Sequence, residues 1–178
     1  MNGQTIDLKE ILQETVSGGY GDLVTRHTGR AVRDGIETAL AATGDSRVAV
    51  IEFSDVGCLD ISCADEIVGK LLLTHGGARY FLLRGVTEAH CEAISLVLER
   101  HGLAAVAQHR DGQIQLLGPI EETVSKAFRT VSEQGRVAAA EVADQLKVSA
   151  EAARGALDRL LALRLVQSDA DCYRALTA

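Results

Sequence analysis

The stretch that most constrains the fold is RVAVIEFSDVGCLDISCADEIVGKLLL, residues 47–73. It opens on an unbroken apolar run, Val48 to Ile51, and closes on Phe53. So short a run without polar alternation marks a strand buried on both faces, the condition of strands in a parallel sheet under covering helices. A turn and the corner Asp60-Ile61-Ser62 follow. Ile67, Val68, Leu71 and Leu72 then recur at helical spacing. Ser62 falls where a helix N-cap belongs, and Asp65 and Glu66 fall in the first turn, where carboxylates meet the positive end of the helix dipole. The expectation is a hydroxyl displayed at a strand-to-helix corner, a common place for function in a sheet-and-helix domain.

The flanking sequence repeats this alternation. Leu8, Ile11, Leu12 and Val16 fit one helix face capped by Asp7 and ending before Gly18-Gly19, while Ile6 and Leu8 also fit a short edge strand. Asp22-Leu23-Val24 reads as a strand. Residues 26–43 read as a helix with a stripe of Val32, Ile36, Ala39 and Leu40 and a stop at Gly44. Arg26, Arg30 and Arg33 read first as a solvated basic face and second as a docking patch for an acidic partner or a phosphate. Gly76-Gly77 ends the central helix, and residues 79–83 form the next strand. Thr87 caps a helix running to His101 with Ile94, Val97 and Leu98 inside, closed by Gly102. Residues 103–107 and 114–117 read as strands flanking Asp111-Gly112, a hairpin signal. The order predicts an α/β domain with a mostly parallel sheet.

At the corner the chain resembles the STAS domain, the fold of anti-sigma-factor antagonists and sulfate-transporter tails, in its divergent STAS-like branch. That family ends a buried strand in a D-S-S-G-like corner whose second serine is phosphorylated by a partner kinase. Here the corner reads Asp60-Ile61-Ser62-Cys63, followed by Ala64-Asp65-Glu66-Ile67. The resemblance covers about residues 24–118, including the closing Gly102-Leu103. It implies Ser62 as phosphoacceptor, Asp60 as the residue shaping its loop, and a serine kinase of the anti-sigma type as partner.

The pattern changes at Gly118-Pro119, with Pro119 placed to begin a new helix. Val124, Ala127, Phe128 and Val131 form its inner side up to Gly135. Val142, Ala143 and Leu146 belong to a short helix. Ser149 caps a longer one carrying Ala153, Leu157, Leu160 and Leu161. Leu165-Val166, Ser168 to Asp171 and Tyr173 read as a hairpin wing. Residues 120–176 thus resemble a winged helix-turn-helix domain of the kind in bacterial repressors. Arg164 stands where that family usually has glycine, so an altered turn is expected before the wing. The predicted organisation is a STAS-like domain over residues 1–118 and a winged helix-turn-helix domain over 119–178.

For the winged helix, double-stranded DNA is the implied partner. Arg154 can read a guanine edge, and Ser149, Lys147, Arg136 and Arg159 can meet phosphates. The whole chain carries a net charge of −7, which excludes a general polyanion binder. From Glu121 onward, eight Lys and Arg against nine Asp and Glu leave about −1, below the usual basic footprint. Docking or homodimerisation is therefore the competing role for this part, and a small-ligand sensor near Arg30 is a third. The four cysteines, Cys58, Cys63, Cys91 and Cys172, lack C-x-x-C spacing and read as free thiols of a reducing cytosol. The five histidines are scattered and no H-E-x-x-H occurs, so neither metal nor cofactor is expected. Without a G-x-S-x-G elbow or an acid–base pair, the chain reads as a non-enzymatic regulator. Its start lacks a signal-peptide pattern and no apolar run suits a membrane span, so a cytoplasmic place is expected.

Overall fold

The structure, a computed structural model, describes residues 3–16, 21–42 and 47–176. The helix stops expected at Gly18-Gly19 and Gly44 lie outside the described residues. Both readings of the first stretch hold in part: β1 (Gln4–Asp7) takes Ile6 but not Leu8, and leads directly into α1 (Leu8–Thr15), with Asp7 as the N-cap of the helix and Val16 just past its end. α2 (Arg26–Ala42) buries Val32, Ile36 and Leu40. β2 (Val48–Glu52) follows, and beyond its loop lies a continuous helix over 61–75. That helix comprises α3 (Ile61–Ala64), a π-helical segment (Asp65–Lys70) and α4 (Leu71–His75). β3 (Tyr80–Val86), α5 (Glu88–His101), β4 (Ala105–His109) and β5 (Ile114–Leu117) complete the α/β part.

The sheet order is β1-β2-β3-β4-β5. The first four strands are parallel, and β5 returns antiparallel through the Asp111-Gly112 turn, where Gly112 holds φ +90°. One face presents Ala49, Ile51, Phe81, Leu83, Ala105 and Ala107 to the core beneath α2, the 61–75 helix and α5. The other presents Val50, Leu82 and Val106 to a second core shared with the C-terminal helices. This double cover is why residues 48–51 show no polar alternation, since either side of β2 must leave water.

The C-terminal part contains α6 (Glu122–Gln134), β6 (Arg136–Ala138), α7 (Ala139–Leu146), α8 (Ala150–Ala162), β7 (Val166–Asp169) and β8 (Cys172–Ala175). Its small sheet runs β6-β8-β7. Val124, Phe128, Val131, Leu157 and Leu160 join Val50, Leu82 and Val106 in one apolar cluster, so the helices lie on the large sheet.

Four local readings change. The N-cap of the 61–75 helix is Asp60, not Ser62: the Asp60 carboxylate accepts from Cys63 N, which places Ser62 inside the first turn. Pro119 does not begin α6; Ile120 is drawn towards the second core, and extended Glu121 caps the helix. Residues 22–24 form no strand, only a single parallel bridge between Leu23 and Leu59. Arg164 keeps the turn that glycine would make, at φ +56°. Its Nε donates to Gly77 O at 2.9 Å and its guanidinium lies 5.3 Å from the Tyr80 ring centroid. A left-handed conformation costs a non-glycine residue about 1 kcal/mol, and here it places the arginine as a tie between the two parts.

Candidate functional site

The corner is built by two segments running side by side. Gly57 N donates to Gly21 O, Leu23 N to Cys58 O and Asp60 N to Leu23 O, at 2.9, 2.7 and 2.9 Å. Asp60 is the hub. Its Oδ1 accepts from Cys63 N at 2.7 Å and from the Ser62 hydroxyl at 2.8 Å, and its Oδ2 accepts from Thr25 N at 2.9 Å. Burial pushes the Asp60 carboxyl up, but the amides of Cys63 and Thr25 and the Ser62 hydroxyl outweigh it and hold the group below the ordinary aspartate value. Ser62 is half-buried, and its neighbour Ile61 and Val24, which precedes Thr25, are 42% exposed each.

Thr25 faces this carboxylate at φ +75°. A β-branched residue there is strained, and such strain persists only where neighbours over-determine it. The Asp60 carboxylate holds its amide, the Cys63 thiol donates to its carbonyl at 2.9 Å, and its hydroxyl lies 3.2 Å from that of Thr28. Gly29, one turn into α2, allows the close approach: a Cβ there would stand 2.8 Å from Cys63 Cα. The Cys63 thiol is pushed up to about 12 by burial and by the neighbouring Asp60 charge, so it is a thiol and not a nucleophile.

Beneath the corner lies a charge network. Seven consecutive residues, 63–69, are buried, because this helix is enclosed by α2, α5 and the sheet. Asp65 and Glu66 are therefore 6% and 0% exposed, rather than solvated acids of a first turn. Glu66 accepts from Arg26 at 2.9 Å, from Arg33 at 2.6 Å and from Lys70. Asp65 pairs with Arg26 at 2.7 Å and with His101 Nε2 at 2.8 Å. Burial raises both carboxyls, and bonds from Arg26 with His101 or Lys70 bring both below their ordinary values. Arg26 and Arg33 are thus turned inward to these acids, while Arg30 remains exposed. A π-helical segment within an α-helix is often found at functional sites; here it carries both acids.

Two further groups, not singled out from the sequence, hold the 53–60 loop. Buried His90 meets Gly57 O through Nε2 at 3.0 Å, and Arg110 donates to Ser54 O at 2.7 Å. The sequence reading takes Asp65 and Glu66 as first-turn acids; their place between Cys63-Ala64 and Ile67-Val68 is the signal that could have pointed to the network.

In the C-terminal part, Ser149 caps α8 by accepting from Ala152 N at 3.1 Å, and Lys147 sits in the turn before it at φ +54°. Arg154 and Arg159 are exposed but stand about 140° apart around α8. Arg159 lines a shallow cleft with Glu121 against α6, whereas Arg154 acts electrostatically on the Tyr173 hydroxyl. Arg136 lies on the small sheet. Arg154 and Arg159 therefore point to different sides of α8. No three His, Cys, Asp or Glu side chains among the described residues are grouped to hold a metal, and no helix among them is long and apolar enough to cross a membrane.

The fold and the corner define an α/β protein with a mostly parallel sheet and an aspartate-organised strand-to-helix corner. Comparison with protein families, with curated proteins and with solved structures found no match.

Proposed function

We propose that this chain is a non-enzymatic regulator in which a STAS-like domain docks a partner at the Asp60–Ser62 corner and a winged helix carries the output by binding double-stranded DNA. The observation that carries the reading is the Ser62 hydroxyl donating to the carboxylate that also holds strained Thr25. Phosphorylation of Ser62 replaces that donor with a group of about −1.5 to −2 charge. Asp60 then loses a hydrogen bond and gains a repulsion, and its grip on Thr25 N and on the start of α2 weakens. Exposed Val24 and Ile61 flank the corner and change position with it. In this mechanism a local charge change re-shapes a docking surface.

The test is incubation with an anti-sigma-type serine kinase and ATP, followed by intact mass and by partner capture. One phosphate on the wild type, none on Ser62→Ala, and partner release supports the switch; an unmodified Ser62 sinks it. For the output, a gel shift across salt concentrations with Arg154→Ala as control should show specific binding that the variant weakens.

A second reading, a pure protein-interaction module of the anti-sigma-antagonist kind, is favoured by the charge of the winged-helix part. Asp169 and Asp171 are exposed at the turn between β7 and β8, where DNA contact would ask for cations. In that case the winged helix serves dimerisation or partner docking, and no specific shift appears even at low salt.

A further inference from the structure

The small sheet has an outer face whose charge no described residue neutralises. Register pairs Arg136 with Arg174 and Gln167 with Arg174, so the three side chains form one row across β6, β8 and β7. Their neighbours in sequence, Val137 and Tyr173, turn the other way into the core. Directly opposed side chains on antiparallel strands have Cβ atoms about 4.5–5.5 Å apart, and like charges so placed are destabilising. Among the described residues neither arginine has an ion pair within 4.0 Å. The one carboxylate of the face within these strands, Asp169, stands opposite Cys172 in the next row. Arg174 Nε is moreover sealed from solvent and has no hydrogen-bond partner among the described residues, a state that costs free energy unless something else accepts from it.

We propose that the Arg136–Arg174–Gln167 row is an oxyanion site that takes a phosphate group. Two guanidinium forks side by side offer paired N–H donors to phosphate oxygens, a geometry that favours arginine over lysine, and the Gln167 amide adds a neutral donor at the end of the row. An incoming phosphate relieves the arginine–arginine repulsion by accepting from the outer N–H groups of the two guanidiniums. The site extends the DNA-contact set by Arg174 and Gln167 but does not depend on DNA binding, because a free phosphate compound has the same chemistry.

The test is an NMR titration of the arginine Nε–Hε resonances of the full chain with inorganic pyrophosphate, against sodium chloride of matched ionic strength. Saturable shifts at Arg174 and Arg136 are expected with pyrophosphate alone. Arg174→Gln should weaken the response about tenfold or more, as loss of a charge-assisted bond implies, and Arg174→Lys should restore only part of it. Pyrophosphate should raise the wild-type Tm and leave that of Arg136→Gln/Arg174→Gln unchanged, a readout that requires only a folded variant. Shifts that merely follow ionic strength overturn the site. A short DNA duplex forms the second arm. A duplex that displaces pyrophosphate from these resonances makes the phosphate source nucleic acid, and pyrophosphate binding without duplex binding makes it a small phosphate compound. A duplex that binds while both arginines stay silent overturns this site and leaves the DNA reading standing.

Discussion

Glu66→Gln is the perturbation that examines the centre of the molecule most directly. The Glu66 side chain is 0% exposed and its carboxylate accepts from Arg26, Arg33 and Lys70. Glutamine keeps the shape but turns an amide donor towards cationic donors and removes the charge. Removing one partner from a buried pair costs about 3–5 kcal/mol where the remaining charge is trapped. Here the cations are 46%, 20% and 36% exposed and recover some hydration, so about 3 kcal/mol is expected at neutral pH, near the low end of that range. For a chain of this size that corresponds to a fall in Tm of roughly 6–12 °C. The pH dependence makes the reasoning specific. Burial raises the Glu66 carboxyl, but its bonds to Lys70 and Arg26 and the charge of Arg33 hold it below the ordinary value. Its contribution is therefore complete above the ordinary glutamate pKa of about 4.3 and is lost as pH falls through the lower folded value. Urea unfolding of wild type and variant should show a constant gap from pH 7 to about 5 that closes in stronger acid. A gap under about 1 kcal/mol at pH 7, or one that persists in acid, refutes a net stabilising role for this charge and points instead to packing.

Other expectations follow from individual contacts. Gly29→Ala should destabilise despite the better helix propensity of alanine, since the new Cβ would meet Cys63 Cα at 2.8 Å; Gly155→Ala, with nothing within 4 Å, should stabilise by about 0.5–1 kcal/mol, and thermal melts of the pair check both signs. Arg164→Ala should lower stability more than Arg164→Gly, by about 1 kcal/mol, because both lose the Gly77 and Tyr80 contacts but only alanine keeps the left-handed strain; equal losses would show that the strain is absent. In a native thiol titration with a disulfide reagent, exposed Cys58 should react first, with half-buried Cys172 slower and buried Cys63 and Cys91 silent until urea is added. A reactive Cys63 would mean that the corner opens.

Much of the architecture was legible because it rests on local rules. Thr87 and Gly102 bracket α5 as capping chemistry requires, with Gly102 in the left-handed region. Asp111-Gly112 turns β4 into β5, and Ser149 caps α8. These signals lie within a few residues of the structure they produce. The corner was only half legible. Asp60 and Ser62 were visible as a pair, but which of them caps the helix depends on Thr25, 35 residues away, whose amide N–H donates to the same carboxylate. Arg26 and Arg33 looked like a solvated face because their partners lie on another helix. Arg164 looked like a departure from a turn, since nothing nearby announces Gly77 and Tyr80.

By itself, then, the amino-acid order determined most of the elements, their succession and the mostly parallel character of the large sheet, because hydrophobic periodicity and capping act over one or two turns of chain. Only the tertiary structure decided that Asp65 and Glu66 are enclosed and neutralised, that Thr25 is held in strain against Asp60, and that Arg136 and Arg174 stand opposite each other without a counter-charge among the described residues. Each of those depends on which distant side chains share a low-dielectric space, and charge energetics are set by that enclosure rather than by spacing along the chain.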